Sequence, residues 1–221
     1  MVSKRIGTTI IYIVLVIWGL LSIYPLLWML SASLKEPMEV MSSYSLLPKV
    51  WHWETYSDVW NRMHFFRYFL NSLNIAFWSL LGINIIFSMA AFAFAKLKFP
   101  GSNGLFFFFL AIMFVPGITI LVPLYLTLNY LHLLNTHTGI ILAIVNGAAP
   151  MAIFLFRNYF RTIPHELYEC AKMEGAGIFR ILYTIYFPLA VPAMATITTM
   201  NFLGIWNALV LPLVVLNSPD K

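Results

Sequence analysis

Glu169-Cys170-Ala171-Lys172-Met173-Glu174-Gly175, followed downstream by Ile185-Tyr186-Phe187-Pro188, is a polar hairpin set between two apolar stretches. Pro164 can open a short helix because its missing N–H would lack an intrahelical partner there anyway. Gly175 can close that helix in the left-handed conformation that side chains resist. At the usual rise per residue the segment from Pro164 to Glu174 is about 16 Å long. Its spacing predicts one stripe of Leu167, Cys170 and Ala171, whose small members permit close backbone approach. After Gly175, the residues Ile178, Ile181, Leu182 and Ile185 recur at helical spacing. A second amphipathic helix is therefore expected, with a bend at Pro188.

On both sides of this hairpin the chain is built for lipid. Of its 221 residues 61% are hydrophobic and only 10% charged, and the mean hydropathy is +0.85, too little polar surface for a soluble domain. Windows near 7–33, 69–95, 104–128, 138–156 and 189–216 each reach the roughly 20 apolar residues that cross a bilayer as a helix. Backbone groups in lipid must be satisfied internally, and the runs are too long for barrel strands. The fold class expected is all-α and polytopic, a single transmembrane domain over 1–221 with five predicted spans and a cytoplasmic loop at 161–188. The first run is about twice the length of a signal-peptide core, so an uncleaved span is the better reading.

Alternating spans place Lys4, Arg5, Lys96, Lys98, Arg157, Arg161, Lys172 and Arg180 on one side, eight of the 13 basic residues. That side reads as cytoplasmic, with the N-terminus inside. The net charge of +5 is then a topological bias, and no nucleic-acid partner is needed to explain it. In the opposite loop, about Leu34 to Tyr68, Glu36, Glu39, Glu54 and Asp58 offset Lys35, Lys49, Arg62 and Arg67. Its Trp51, Trp53, Tyr56, Trp60, Phe65, Phe66 and Tyr68 suit the headgroup region. Tyr56, Val59, Trp60 and Met63 predict a short helix lying along the membrane surface.

The hairpin resembles the motif Glu-Ala-Ala-x3-Gly-x9-Ile-x-Leu-Pro of bacterial ABC-importer permeases. Glu169, Ala171, Gly175, Ile185 and Pro188 stand at motif positions, whereas Cys170 replaces an alanine and Phe187 the leucine. The likeness runs on through Tyr24–Trp28, Ser31–Lys35, Asn71-Ser72, Val122–Tyr125, Leu134–Thr136 and Phe202–Asn207, segments similar to the carbohydrate-uptake permeases of the maltose-transporter type. The resemblance implies a type I ABC-importer permease fold in a bacterial or archaeal inner membrane. It implies partners as well: a second permease in a heterodimer, a cytoplasmic ABC ATPase dimer carrying ATP and Mg, an extracytoplasmic solute-binding protein, and a sugar or oligosaccharide. Glu169, Cys170, Ala171, Glu174, Gly175, Ile185 and Pro188 would then couple the chain to the ATPase. Such permeases usually have six spans, so the likeness also implies a sixth helix beyond Lys221.

The windows contain no Asp, Glu, Lys, Arg or His, where ion-coupled carriers usually place ionisable groups. No G-x-x-x-x-G-K-[ST] phosphate cradle is present, so no bound cofactor is expected on this chain and the energy is assigned to a partner. The polar groups within the spans are uncharged. Asn201, Trp206 and Asn207 lie about one turn apart and suit sugar hydroxyls and a sugar face; Asn71, Asn74, Asn84 and Asn146 equally suit helix–helix hydrogen bonds. Pro116 and Pro123 are candidate gating kinks, with structural bending as the default. Cys170, the only cysteine, can form no intrachain disulfide, and with only His165 nearby it makes no evident nucleophile. The competing classes are a secondary carrier or channel for a neutral solute and an intramembrane enzyme. The first lacks charge at bilayer depth; the second lacks paired catalytic groups.

Overall fold

The computed structural model describes residues 2–62 and 64–218, with side chains from Gly7 onward. Met63, which the surface-helix spacing included, lies outside the described residues, as do Pro219-Asp220-Lys221 and the side chains of Lys4 and Arg5. Among the described residues every regular element is helical, and the fold is the all-α polytopic one expected. The chain divides into two compact units, Met1–Arg67 and Tyr68–Lys221.

The first unit opens with α1 (Val2–Ala32), continuous through Pro25. Its apolar side chains from Ile10 to Leu30 are largely exposed, and a helix apolar on all sides is suited to lipid. Residues Gly7–Ala32 span about 39 Å, enough for a hydrocarbon core of roughly 30 Å. Next come α2 (Pro37–Ser42) and α3 (Glu54–Arg62), the latter a helix where the spacing of Tyr56, Val59 and Trp60 predicts one. Lys35 organises the loop between them. Its ammonium donates to the Ser45 carbonyl and sits 4.6 Å from the Trp28 ring centroid. The Glu39 carboxylate accepts from the Lys49 amide at 3.0 Å, and the His52 amide donates to the Leu34 carbonyl at 3.0 Å. Trp51 and Trp53 stack at 6.0 Å, while Trp60 packs on Phe65 and Phe66.

The long helix α4 (Phe65–Lys96) leads into the second unit, which continues with α5 (Ser102–Ile112), α6 (Gly117–Tyr130) and α7 (His137–Thr162). The hairpin then supplies α8 (Glu166–Met173), α9 (Ile178–Ile181), a π-turn (Leu182–Tyr186) and α10 (Phe187–Leu189). The last two helices are α11 (Val191–Trp206) and α12 (Val210–Val215). α7 is the hub, with α5, α11 and α12 packed on it. Gly82 of α4 lies so close to α7 that a Cβ there would be 3.2 Å from Val145. Small residues at helix contacts are how membrane helices gain packing without a hydrophobic drive.

Among the described residues three helices are long and apolar enough to span a membrane, and two bent pairs bring the number to as many as five. Two of the predicted windows therefore need correction as single helices. The window 104–128 is split into α5 and α6, which meet at 101°. Pro116 lacks an N–H and drives Val115 out of helical geometry. Within the break, Met113, Phe114 and Val115 donate to the carbonyls of Leu110, Ala111 and Ile112 at 3.0–3.1 Å. The window 189–216 is likewise interrupted: α10 and α11 are separated at Ala190, with a 74° bend between Ile178–Leu189 and α11, and α11 ends at Trp206 before α12. Pro188 and Pro192 flank the first of these breaks.

Two tight connections hold the second unit in register. α6 ends in a Schellman motif: His132 adopts φ 56°, its amide donates to the Asn129 carbonyl, and the Leu133 amide reaches the Leu128 carbonyl at 2.8 Å. Asn135, at φ 55°, donates its own amide to Val215 and accepts from the amides of Asn217 and Ser218 through Oδ1 at 3.1 Å. Thr136 then caps α7 by accepting from the Gly139 amide at 3.0 Å. This turn brings the Leu133 carbonyl to 2.2 Å from where a Cβ on Gly139 would stand. Gly139→Ala should accordingly destabilise the fold by about 1–3 kcal/mol, the range of overpacking. A lowered melting temperature of the purified protein checks this; an unchanged one contradicts it.

Candidate functional site

The hairpin between α7 and α11 gathers the sequence motif into one structure. Pro164 and His165 precede α8, and the helix runs Glu166–Met173 with Glu174 as its C-cap. Glu166 and Glu169 lie in the first turn and Lys172 in the last, the arrangement that complements the helix dipole. Gly175 takes φ 78°. Its amide donates to the Lys172 carbonyl at 3.0 Å, and the Ala176 amide to the Ala171 carbonyl at 3.0 Å. This is a Schellman closure, completed by the apolar pair Ala171 and Ala176. The glycine is required by its backbone angle and not by crowding, since a Cβ there would meet nothing within 4 Å.

The buried face of α8 differs from the expected stripe. Tyr168 and Ala171 are inside, whereas Leu167 is 41% exposed and Cys170 is exposed. The stripe is displaced because the large ring of Tyr168 takes the inner position that Leu167 was expected to fill. Outward, the helix shows Leu167, Glu169, Cys170, Met173 and Glu174, with Met173 81% exposed. Glu169 lies 3.7 Å from His165 and its carboxylate remains on the surface. The exposed surface of α8 mixes apolar side chains and acids with Lys172, whereas the inner face is formed by Tyr168 and Ala171.

Past Gly177 the returning helix changes pitch. The Phe187 amide donates to the Leu182 carbonyl five residues back, opening a π-turn immediately before Pro188. A proline ring crowds the carbonyl four residues before it, and a wider turn relieves that contact. Ile185 is half-buried against the core, and Pro188 is exposed in the first turn of α10. The π-turn also delivers Tyr186, fully buried, onto Phe92 of α4 at 4.9 Å and Phe160 of α7 at 5.8 Å. Tyr168 approaches the same Phe92 at 6.2 Å. Lys96, at the end of α4, donates to the Ile163 carbonyl at 2.6 Å and lies 5.3 Å from the Tyr186 ring. The Tyr159 hydroxyl ties α7 to the Leu189 carbonyl at 2.9 Å. Tyr168 and Tyr186 escaped the sequence reading, although the three-residue spacing of Tyr168 and Ala171 marked a helix face.

The residues suggested for a solute pathway do not all converge. Asn201 and Asn207 each donate Nδ2 to a carbonyl one turn back, Ile197 and Leu203, at 2.8 Å. Trp206 stacks on Phe202 at 5.4 Å and meets the edge of Phe69 at 5.8 Å. It also lines a cleft of about 190 Å³ with Tyr68, Asn71, Ser72 and Ile140, in which neither Asn201 nor Asn207 takes part. Asn84, by contrast, is helix–helix glue: it donates to the Leu80 carbonyl and to Thr198 of α11 at 2.9 Å. Among the described residues no cluster of His, Cys, Asp or Glu has the makings of a metal site.

Known proteins share this architecture. A structure of a bacterial ABC transporter involved in import of the acidic polysaccharide alginate superposes with a TM-score of 0.86, at 28% identity over 99% of this chain and 77% of that one. The diacetylchitobiose uptake system permease NgcG of Streptomyces coelicolor is 35% identical over 99% of this chain and 72% of its own length. The arabinooligosaccharides transport system permease AraQ of Bacillus subtilis is 31% identical over 98% and 76%. Residues 83–220 match the model of the binding-protein-dependent transport system inner membrane component. With α7, the hairpin and α11 inside that match, the chain belongs to this family of membrane transport permeases.

Proposed function

We propose that this permease forms half of the translocation pathway of a carbohydrate importer and is driven through its hairpin by a cytoplasmic ABC ATPase dimer that holds ATP and Mg. The observation that carries the proposal is the two-faced hairpin: acids and exposed apolar groups outward, aromatic rings inward on α4 and α7. Glu169, Cys170, Glu174 and the neighbouring Met173 form the surface gripped by the ATPase. Ala171, Gly175, Ile185 and Pro188 set the shape and angle of the element that carries it. Nucleotide-driven closure moves the hairpin, and the aromatic cluster passes that movement to the spans, opening the pathway alternately to each side.

Carbohydrate is the favoured cargo for two reasons. Relatives are named for uptake of diacetylchitobiose and arabinooligosaccharides, and the cleft at Trp206 has no charged residue in its lining. An indole face and neutral polar groups suit sugar rings. Asn201 and Asn207 each spend one amide N–H on their own helix, which leaves the second N–H and the carbonyl oxygen of each for a hydroxyl. The cleft is below the roughly 300 Å³ of common ligand pockets, and on this reading a second permease subunit, in a heterodimer, supplies the rest of the passage. Solute arrives from an extracytoplasmic binding protein, with the N-terminus of this chain on the cytoplasmic side of the cell membrane.

Cys170 is exposed and is the only cysteine, so it reports on docking directly. Maleimide labelling of Cys170 should fall sharply when the ATPase is present; equal labelling with and without it refutes the interface. Gly175→Leu should uncouple ATP turnover from uptake in proteoliposomes, because a side chain in the left-handed region costs about 1–2 kcal/mol, a factor of roughly five to thirty in the docked geometry. Gly175→Asn, which tolerates that region, should retain most uptake. Trp206→Ala should raise the half-saturating sugar concentration about tenfold, the loss of one stacking contact of about 1.4 kcal/mol, while ATPase docking at Cys170 stays intact.

A further inference from the structure

Beside the hairpin, on the same end of the helices, the C-terminal ends of α4 and α7 and the start of α5 border an open, shallow cleft of about 450 Å³. Its walls include Lys98, Phe99, Ser102, Asn103, Arg157 and Arg161. Arg157 is buried, its Nε donating to the Phe94 carbonyl at 3.3 Å and its guanidinium lying 3.8 Å from the centroid of the Phe106 ring. Lys98 and Arg161 are exposed. Arg157 and Arg161 stand one turn apart on α7, where like charges repel. Among the described residues none of the three cations is in an ion pair, and no carboxylate lines the cleft. Gly101, at the N-cap of α5, supplies no side-chain acceptor to the first turn of that helix, and the Ser102 amide donates instead to the Phe99 carbonyl at 3.3 Å.

The other property of the site is what adjoins it. One turn along α5, Leu105, Phe107 and Phe108 are 47%, 66% and 63% exposed, so the cationic cleft opens beside a surface made for acyl chains. A soluble anion would gain nothing from that surface. We propose that the cleft binds the phosphate of an anionic phospholipid, its headgroup held by Lys98, Arg157 and Arg161 and its chains lying along α5. The proposal rests on the membrane placement of these helices and not on the ATPase reading of the hairpin.

The test uses the purified permease assembly in nanodiscs that carry a photoactivatable phosphatidylglycerol, with phosphatidylcholine of the same label as the reference. Phosphatidylglycerol should crosslink to residues 98–108 and 157–161 in preference to phosphatidylcholine. Each cation near a membrane surface contributes about fivefold to such binding, so Lys98→Gln with Arg161→Gln should weaken it roughly 25-fold. Lys98→Arg with Arg161→Lys should keep it. Equal labelling by the two lipids, or full labelling of the Gln double variant, overturns the proposal. Displacement by millimolar inorganic phosphate would assign the cleft to a free anion and overturn the lipid. Labelling that appears only when the ATPase is stripped away would make the cleft a protein contact, with the same consequence. Protection of Cys170 is read in the same samples, so a failure of the lipid site and a failure of the hairpin interface are told apart.

Discussion

The structure of the second unit depends on one packing arrangement: Tyr186 wedged between Phe92 and Phe160, with Tyr168 closing the cluster from α8. Phe92 and Phe160 themselves meet edge to face at 6.2 Å and 90°. Each such pair is worth about 0.5–1.5 kcal/mol beyond simple burial, and together they bind four separate elements. The hairpin is therefore no loose loop. Close-packed interiors have little room to deform, so these rings give α8 a direct packing route to α4 and α7. The π-turn is what makes this geometry possible. One extra residue in a turn rotates everything after it by about 100°, and that rotation aims Tyr186 inward while Pro188 turns the chain toward α11.

Two cations reinforce the same region from different directions. Lys96 closes the gap between α4 and the end of α7 by donating to Ile163, the C-cap of that helix. A positive charge is favoured at a helix C-terminus, where unpaired carbonyls point outward. Arg157 joins α7 to α4 through the Phe94 carbonyl and to α5 through the Phe106 ring. Basic residues that topology places on one side of the membrane thus also act as fasteners between spans. Their charge bias and their packing are two uses of the same side chains.

Much of this was legible in sequence, and the misses share a cause. The apolar runs announced the spans, and Gly175 announced the end of α8, because composition and a required backbone angle are local properties. The helical state of α3 was equally readable from the spacing of Tyr56, Val59 and Trp60. What failed were inferences needing a neighbour's position. Leu167 and Tyr168 sit side by side in α8, and only the presence of Phe92 opposite decides which one is buried. The break at Pro116 was visible as a kink, but its size depends on how α5 and α6 pack. Asn201 and Asn207 looked alike as polar groups near Trp206. Their commitment to carbonyls on their own helix became clear only with the backbone in view, as did the grouping of Trp206 with Asn71 from a different span.

The elbow between α5 and α6 has one more implication. Each arm is too short to cross the hydrocarbon by itself, yet the α5 side of the corner satisfies its own backbone, since Met113, Phe114 and Val115 turn back onto carbonyls of the preceding turn. A bend tied off in this way can sit deep in oil without drawing a file of solvent to it. In a membrane transport subunit, a corner knotted onto its own carbonyls relies less on solvent at the place where its backbone is most sharply folded.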